Sequence, residues 1–265
     1  MRAIMLAAGV GRRLFGDDHD RPPKALLEFG GKSLLRRHLE TLTALGFDEL
    51  SLVVGYRKDE LLAEAHRFVS RRFVHPVHNP RYHEGSVVSL WTARDVLGAG
   101  ESVVIMDADV LYDPRLMEQL VGSVHANCFL VDRDFEPGDE PVKLCIRDGR
   151  PAEFGKQVSG TFDVVGEWPG FLKLAPEMAV RLADACADVM DQHGVDAPCE
   201  DAMRKVLVES PGGTFGFEDI TGLPWIEIDF PGDVSRAETR ILPRLSAVWP
   251  SPAEHIAAGK VLPSA

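Results

Sequence analysis

The 265-residue sequence predicts an α/β fold, a mostly parallel sheet flanked by helices. Two observations predict it. Short apolar runs alternate with segments of helical periodicity up to about residue 131, which is the pattern of right-handed βαβ crossovers. The glycine-rich segment LAAGVGRR directly follows the first apolar run, and open α/β sheets bind ligands at the carboxyl ends of their strands.

Each element of the first half has a local signal. Ser33 is a good N-cap, and the leucines after it share one face of a helix that Gly46 ends. The predicted strands are residues 2–6, 49–54, 73–78, 102–106 and 127–131, and the predicted helices are residues 33–45, 59–68, 86–97 (capped by Ser86) and 114–121.

The pattern changes near residue 133. Asp148-Gly149, between two β-like runs, is a hairpin signal. We expect one domain over residues 1–248, in which residues 133–175 form a small β-rich insertion or lid, and a C-terminal tail over residues 249–265. The further predicted strands are residues 142–146, 151–156, 164–168, 171–174 and 225–228, and the further helices are residues 176–193, 200–208 and 232–247.

The composition excludes several functional classes. A formal net charge of −12 argues against a nucleic-acid surface, which needs a basic stripe. No apolar run approaches the ~20 residues that cross a membrane, and the apolar N-terminus is too short for a secretion signal. The four cysteines lack metal or disulfide spacing. We expect a cytoplasmic protein with reduced thiols, for which a homodimer is one arrangement that the sequence allows.

The LAAGVGRR segment has the chemistry of an anion cradle. Gly9 and Gly11 let backbone N–H groups approach phosphate oxygens, and Arg13 and Lys24 add positive charge. A dinucleotide fingerprint would need a third glycine where Leu14 stands, and a P-loop would need Gly-Lys-Ser/Thr at its end. The alternative is a plain tight turn with exposed arginines.

Two acidic segments suggest a metal site. Asp107 and Asp109 follow a buried strand at its carboxyl end. Glu227 and Asp229 alternate with isoleucines, so both carboxylates share one face, which is costly on a buried strand unless a cation joins them. Mg²⁺ prefers such hard oxygen ligands. Asp113, before a proline, is instead expected to cap the next helix.

Residues Leu6 to Arg13, followed by Pro23-Lys24, resemble the signature of the nucleotidyltransferases that join a nucleoside triphosphate to a phosphorylated small molecule. The resemblance runs to about residue 245. It implies a Rossmann-like sheet of the nucleotide-diphospho-sugar transferase type, with Arg13 and Lys24 as catalytic residues that neutralise the departing pyrophosphate. It further implies that the triphosphate is wrapped by Leu6, Ala7, Ala8, Gly9 and Gly11, and that Mg²⁺ is bound by Asp109 and Asp229, with Glu227 as a further ligand and Asp107 beside the nucleotide.

Residues 79–90 resemble the base-binding stretch of the choline-phosphate cytidylyltransferase branch. Asn79, Tyr82 and Ser89 match, whereas Gly85 and Ser86 replace the expected asparagine. We expect Ser86 and Ser89 to contact the base, and the alternative is a capped core helix. The base is expected to be cytosine because this branch uses CTP. The segment WIEIDFPGD near the end of the chain also resembles this branch.

The acceptor is expected under the insertion. Lys156 could hold its phosphate. An acidic and aromatic pocket for an ammonium group, as in phosphocholine or 2-aminoethylphosphonate, would draw on Trp168, Phe171, Glu200, Asp201 and Trp225. The alternative is that the two acids favour the dipole of a helix they open, and that the tryptophans are ordinary core residues.

The function that follows is a Mg²⁺-dependent cytidylyltransferase that transfers CMP from CTP to a small phosphate or phosphonate monoester and releases pyrophosphate. Alternatives are a sugar-1-phosphate nucleotidyltransferase using UTP, dTTP or GTP, and an inositol-phosphate cytidylyltransferase. The molybdopterin guanylyltransferase branch fits less well, because its lysine usually follows the glycine loop without this proline. A protein of another class, a non-catalytic nucleotide sensor, would not need to keep Asp109 and Asp229.

Overall fold

The computed structural model describes residues 1–16 and 20–246. The predicted tail, residues 249–265, lies outside the described residues. The strands are β1 (Arg2–Ala7), β2 (Glu28–Phe29), β3 (Lys32–Ser33), β4 (Glu49–Val54), β5 (Val74–His78), β6 (Val103–Asp107), β7 (Val110–Tyr112), β8 (Cys128–Val131), β9 (Lys143–Arg147), β10 (Arg150–Gly155), β11 (Val164–Glu167), β12 (Phe171–Leu174), β13 (Gly216–Asp219) and β14 (Trp225–Glu227). The helices are α1 (Arg12–Phe15), α2 (Leu34–Ala44), α3 (Lys58–Phe68), α4 (Ser86–Thr92), α5 (Arg94–Leu97), α6 (Arg115–Gly122), α7 (Pro176–His193), α8 (Cys199–Glu209) and α9 (Pro231–Arg236).

A seven-stranded sheet organises the molecule, with the order β13-β8-β12-β6-β1-β4-β5. Every neighbouring pair is parallel except the two pairs that β12 forms with β6 and β8. This confirms the predicted fold class. The β1 strand lies between β4 and β6, so the segments that follow β1 and β6 leave the sheet side by side at the same edge.

Successive residues of the central strands serve opposite faces of the sheet, as the two-residue period of a strand requires. Ile4 belongs to the apolar core that α7 and α8 cover, and Met5 belongs to the core that α2 and α6 cover. Both side chains are fully buried. Helices therefore cover both faces, which explains why the central strands read as continuous apolar runs.

A second, three-stranded sheet has the order β10-β9-β11. Its hairpin turns at Asp148 (φ 50°) and Gly149 (φ 71°), which is the left-handed backbone that the Asp-Gly pair predicts. Residues 171–174, which we had included in the insertion, instead pair as β12 within the main sheet. The separate sheet thus involves strands between residues 143 and 167 alone.

Two predicted helices are interrupted. The helix predicted over residues 86–97 divides at Ala93 into α4 and α5. The closing helix predicted over residues 232–247 is α-helical only to Arg236 and continues as a π-helical turn (Ala237–Ile241) and a 3-10 turn (Leu242–Arg244). Pro243 in this last turn lacks the N–H that a regular α-helix would use.

Within the ranges that the structure covers, no helix combines the length and the apolar character that a membrane span requires.

Candidate active site

The glycine-rich loop leaves the end of β1 and enters the short helix α1. Gly11 has a φ of 71°, in the left-handed region that glycine adopts without strain. A Cβ at this position would lie 3.2 Å from Cγ of Lys24, so a larger residue would also press on the lysine stem. The absence of a side chain at position 11 therefore allows the loop to approach the stem of Lys24 closely.

The first cavity, of about 370 Å³, opens at this loop. The sequence-predicted nucleotide residues come together in its wall. Tyr82, which matched the base-binding stretch, also lines it. His83, which we had interpreted as an ordinary polar residue, and Cys199 line it as well and were not predicted as site residues. The predicted residues in the wall are Leu6, Ala7, Ala8, Gly9, Gly11, Arg13, Lys24, Ser86, Ser89, Asp107, Asp109, Glu200 and Glu227.

Three carboxylates meet beside this cavity. One oxygen each from Asp109, Glu227 and Asp229 lies within 4.8 Å of the others. The antiparallel pairing of β7 with β14 brings them together, and the backbone N–H of Ile228 donates to the carbonyl of Asp109 at 3.0 Å. We call Asp109, Glu227 and Asp229 the acidic cluster.

Lys24 and Arg13 pair with the acidic cluster. Nζ of Lys24 lies 2.6 Å from Asp229 and 2.9 Å from Asp109, and Arg13 lies 2.9 Å from Asp229. Burial alone would lower the pKa of Lys24, but the attraction of the two carboxylates raises it above its ordinary value. The lysine is therefore a permanent cation at this point.

Two of the acids at this point, Asp107 and Glu227, favour their protonated, uncharged forms. Burial, and then repulsion from Asp109, raises the pKa of both Asp107 and Glu227 well above the ordinary carboxyl range. Carboxylate oxygens that converge at a point largely removed from water are the donor set that a hard divalent cation stabilises. The residues of the acidic cluster thus fit Mg²⁺.

The buried side chain of His38 packs against the turn that joins β6 to β7. Its Nε2–H donates to the carbonyl of Ala108 at 3.3 Å, and its Nδ1 lies 3.4 Å from the hydroxyl of Tyr112. Burial lowers the pKa of His38 to about 4, so the ring is neutral, as this pair of bonds requires. Ala108 stands between Asp107 and Asp109, and the imidazole therefore holds the backbone that carries both acids.

The start of α4 differs from the prediction. Gly85 occupies the N-cap position, and the hydroxyl of Ser86 instead accepts the backbone N–H of Cys199 at 2.8 Å. A Cβ at Gly85 would lie 2.3 Å from the carbonyl oxygen of Ala197, which explains the glycine. Ser89 accepts a hydrogen bond from the Asn79 amide at 3.0 Å. Both serines keep a hydroxyl proton to donate into the first cavity.

The predicted acceptor residues divide into two groups. Lys156, Trp168 and Glu200 line a small third cavity of about 40 Å³, which Arg13 and Glu140 also line. Trp168 is nevertheless largely a core residue, because its Nε1–H donates to the carbonyl of Phe171 and only 5% of its surface is exposed. Asp201 and the buried Phe171 line none of these cavities.

A second cavity, of about 520 Å³, lies on the other side of the acidic cluster. Trp225, which we had grouped with the acceptor residues, lines it, as do Glu227 and Asp229. Asp132, at the end of β8, and Glu167, at the end of β11, also belong to its wall, and sequence reasoning missed both. Asp132 follows β8 and Glu167 is the last residue of β11, and neither belongs to a sequence motif that could have indicated a site.

Residues 3–157 match the family model of the MobA-like NTP transferase domain. The chain belongs to this family. Its membership confirms the nucleotidyltransferase resemblance that the LAAGVGRR and Pro-Lys motifs predicted.

Two relatives are similar to this MobA-like NTP transferase over most of its length. The CMP-5'-(3-aminopropyl)phosphonate synthase of Streptomyces rubellomurinus is 28% identical over 92% of this chain, and the match spans 39% of that relative. The CTP:phosphoglutamine cytidylyltransferase of Campylobacter jejuni is 23% identical over 88% of this chain and 98% of the relative. The chain therefore spans well under half of the first relative and nearly all of the second.

A solved structure has the same fold. The inositol-1-phosphate CTP transferase from T. maritima matches with a TM-score of 0.70 at 18% identity, over 93% of this chain and 98% of that chain. At this identity the likeness establishes the architecture of this MobA-like NTP transferase, including its large sheet with helices on both faces.

Proposed function

We propose that this chain transfers CMP from CTP to a small phosphate or phosphonate monoester of the phosphocholine or 2-aminoethylphosphonate type, and releases pyrophosphate. One observation carries the proposal. Lys24 and Arg13 pair with a cluster of three carboxylates at the mouth of a glycine-loop cavity. The two relatives support the choice of cytidylyl transfer, since both are named for CMP or CTP chemistry on phosphonate or phosphate compounds.

The reaction needs no protein nucleophile. An oxygen of the acceptor attacks the α-phosphorus of CTP, and the bond from that phosphorus to the β-phosphate oxygen breaks. Pyrophosphate leaves with the electron pair of that bond. The chain has to position two anions that repel each other and to stabilise charge on the departing group.

Arg13 and Lys24 perform the second task. Both are cations within reach of the loop whose backbone faces the triphosphate, and neither needs to gain or lose a proton. Lys24 exchanges a carboxylate partner for a phosphate oxygen when the nucleotide binds. Asp109 and Asp229, with Glu227, would hold Mg²⁺, which when bound supplies positive charge that screens the two anions from each other.

The test is pyrophosphate release by the full chain with Mg²⁺, across four nucleotides and five acceptors. CTP, UTP, dTTP and GTP are each paired with phosphocholine, phosphoethanolamine, 2-aminoethylphosphonate, inositol-1-phosphate and glucose-1-phosphate. We expect release with CTP and an amino- or choline-bearing acceptor. Turnover of dTTP with glucose-1-phosphate, but not of CTP, would instead assign the chain to the sugar-nucleotide branch.

A nucleotide sensor on this fold would bind CTP and release no pyrophosphate with any acceptor. Measuring CTP affinity alongside turnover separates this case from an inactive preparation. The Lys24→Ala variant is the internal control, since its loss of turnover ties the measured release to this site.

A further inference from the structure

The proposed reaction needs two substrates that meet at the acidic cluster, and two large cavities meet there in the structure. Glu227 lines both the first cavity, at the glycine loop, and the second cavity, beside Trp225. The first cavity has the backbone and the cations that suit a triphosphate. The second cavity, of about 520 Å³, is then the place for the other reactant.

We propose that the second cavity binds the ammonium end of the acceptor, between the carboxylates of Asp132 and Glu167 and the ring of Trp225. The inference rests on the proposed function and narrows its acceptor to molecules that carry a primary or quaternary ammonium group. It places recognition away from Glu200 and Asp201, the acids that the sequence suggested.

The charge of the cavity excludes an anionic ligand. Eight acidic side chains and two arginines line it, so acids outnumber bases in its wall and disfavour an anion. Arg236 pairs with Asp233, and neither Asp132 nor Glu167 forms an ion pair with any residue in the described ranges. Among the described residues, Asp132 and Glu167 thus have no salt-bridge partner that an incoming cation would displace.

Asp132 and Glu167 lie together because their backbones pair across a bridge between β8 and β11. Asp132 is only 7% exposed. Burial, and then repulsion from Asp132, raises the pKa of Glu167 to about 7. An organic cation beside these two acids would stabilise the ionised form of Glu167.

The aromatic wall fits the same ligand. The Nε1–H of Trp225 donates to Oδ2 of Asp132 at 2.8 Å, which fixes the indole beside the carboxylate. Phe135 and Phe230 also line the cavity. Carboxylates combined with aromatic rings are the recurring environment of ammonium groups, because the ring face attracts a cation without requiring a hydrogen bond.

The small third cavity borders the two large ones. It shares Glu227 with both, and Arg13 and Lys156 line it. Lys156 can hold the acidic end of an acceptor whose ammonium end lies in the second cavity. The arrangement directs the phosphate or phosphonate oxygen towards the acidic cluster and the amine away from it.

The experiment measures binding separately from turnover. The full chain, without nucleotide or metal, is titrated in a calorimeter with 2-aminoethylphosphonate and with ethylphosphonate, which differ only in the amine. We expect the amine to improve affinity at least about tenfold. Glu167→Gln should reduce that preference to about twofold, and Glu136→Gln, an exposed change that does not endanger folding, should reduce it partly. Glu209→Gln, on the exposed end of α8, is the matched control and should leave the preference unchanged.

Equal affinity of the wild-type chain for the two phosphonates, or an unchanged preference in folded Glu167→Gln, overturns the inference. A preference for the amine without pyrophosphate release on adding CTP and Mg²⁺ supports the cavity assignment and rejects cytidylyl transfer. Phosphocholine and 3,3-dimethylbutyl phosphate, in which an uncharged tert-butyl group replaces the trimethylammonium group, form a second pair, which tells a quaternary from a primary ammonium ligand.

Discussion

The ammonium group of Lys24 lies 2.6 Å from Oδ1 of Asp229, although 205 residues separate the two in the chain. The contact joins the loop after the glycine segment to the end of β14, and a second contact at 2.9 Å joins it to Asp109. In the unliganded chain the lysine thus provides the positive charge that the acidic cluster needs. Lys24 thus has two roles: it neutralises the charge of the acidic cluster in the unliganded chain, and in the proposed reaction it binds phosphate.

Lys24→Ala should abolish turnover and also lower stability. Its removal leaves Asp109 and Asp229 without their shared cation, and we expect a loss of about 1–3 kcal/mol in the free energy of unfolding. Thermal denaturation in a chelator checks this. Added Mg²⁺ should restore much of the stability that the variant lost. The increase in the denaturation temperature should be larger for the variant than for the wild type. A variant as stable as the wild type in the chelator, or one that keeps turnover, would contradict the lysine's assignment.

Asp109→Asn should raise the Mg²⁺ concentration for half-maximal activity at least about tenfold, because a neutral amide is a weaker ligand than a carboxylate. Asp113→Asn is the matched control. Asp113 is fully buried and accepts hydrogen bonds from Arg115 and Ser246, so its change should lower stability and leave the Mg²⁺ response unaltered. If Asp109→Asn responds to Mg²⁺ like the wild type, Asp107 becomes the better candidate for the ligand.

Glu140→Gln should lower KM for CTP about two- to fivefold. Glu140 lies 3.2 Å from Arg13 and 3.1 Å from Lys156, so in the unliganded chain it competes with the triphosphate for the arginine. Exposed ion pairs of this kind contribute about 0.2–1 kcal/mol, which sets the size of the effect. Steady-state kinetics check it, with Asp139→Asn on the same segment as control. A raised KM would mean that Glu140 helps to hold the substrate.

Glu167 should make the protein less stable as the pH rises from about 4.5 to about 7. Its pKa is raised from 4.5 to about 7, so the folded state binds the proton more tightly than the unfolded state in this window. Burial is the largest cause of the raised pKa; Asp132 and Glu136 also repel the ionised group, whereas Lys143 and Arg236 attract it.

Glu167→Gln should therefore be more stable than the wild type at pH 8 by about 1–2 kcal/mol, once partial exposure to water is allowed for. The two proteins should differ little at pH 4. Urea denaturation at both pH values measures the difference, and Glu209→Gln should not reproduce it. A Glu167→Gln variant that is less stable at pH 8 would mean that the ionised carboxylate is paired in the fold.

Local signals were sufficient for most elements and for the nucleotide loop, whereas β13, an edge strand of the main sheet, was not predicted. The order of strands and helices, the hairpin at Asp148-Gly149 and the cap at Ser33 each depend on a few neighbouring residues, and the structure contains them. The residues predicted around Gly9, Lys24 and Asp109 line one cavity because parallel strands end at the same edge. Ser86 was misassigned as a cap, since its partner is the distant backbone of Cys199.

The sequence by itself determined which residue types stand at the ends of the strands, and hence that an anion cradle and several acids exist. Only the tertiary structure decided which of them meet. The pairing of β7 with β14 assembles the acidic cluster, and the bridge between Asp132 and Glu167 assembles the second cavity. Both depend on contacts between segments far apart in the chain. The free energy of these contacts comes from burial of the whole sheet. It therefore leaves no local sequence pattern around the residues that the contacts bring together.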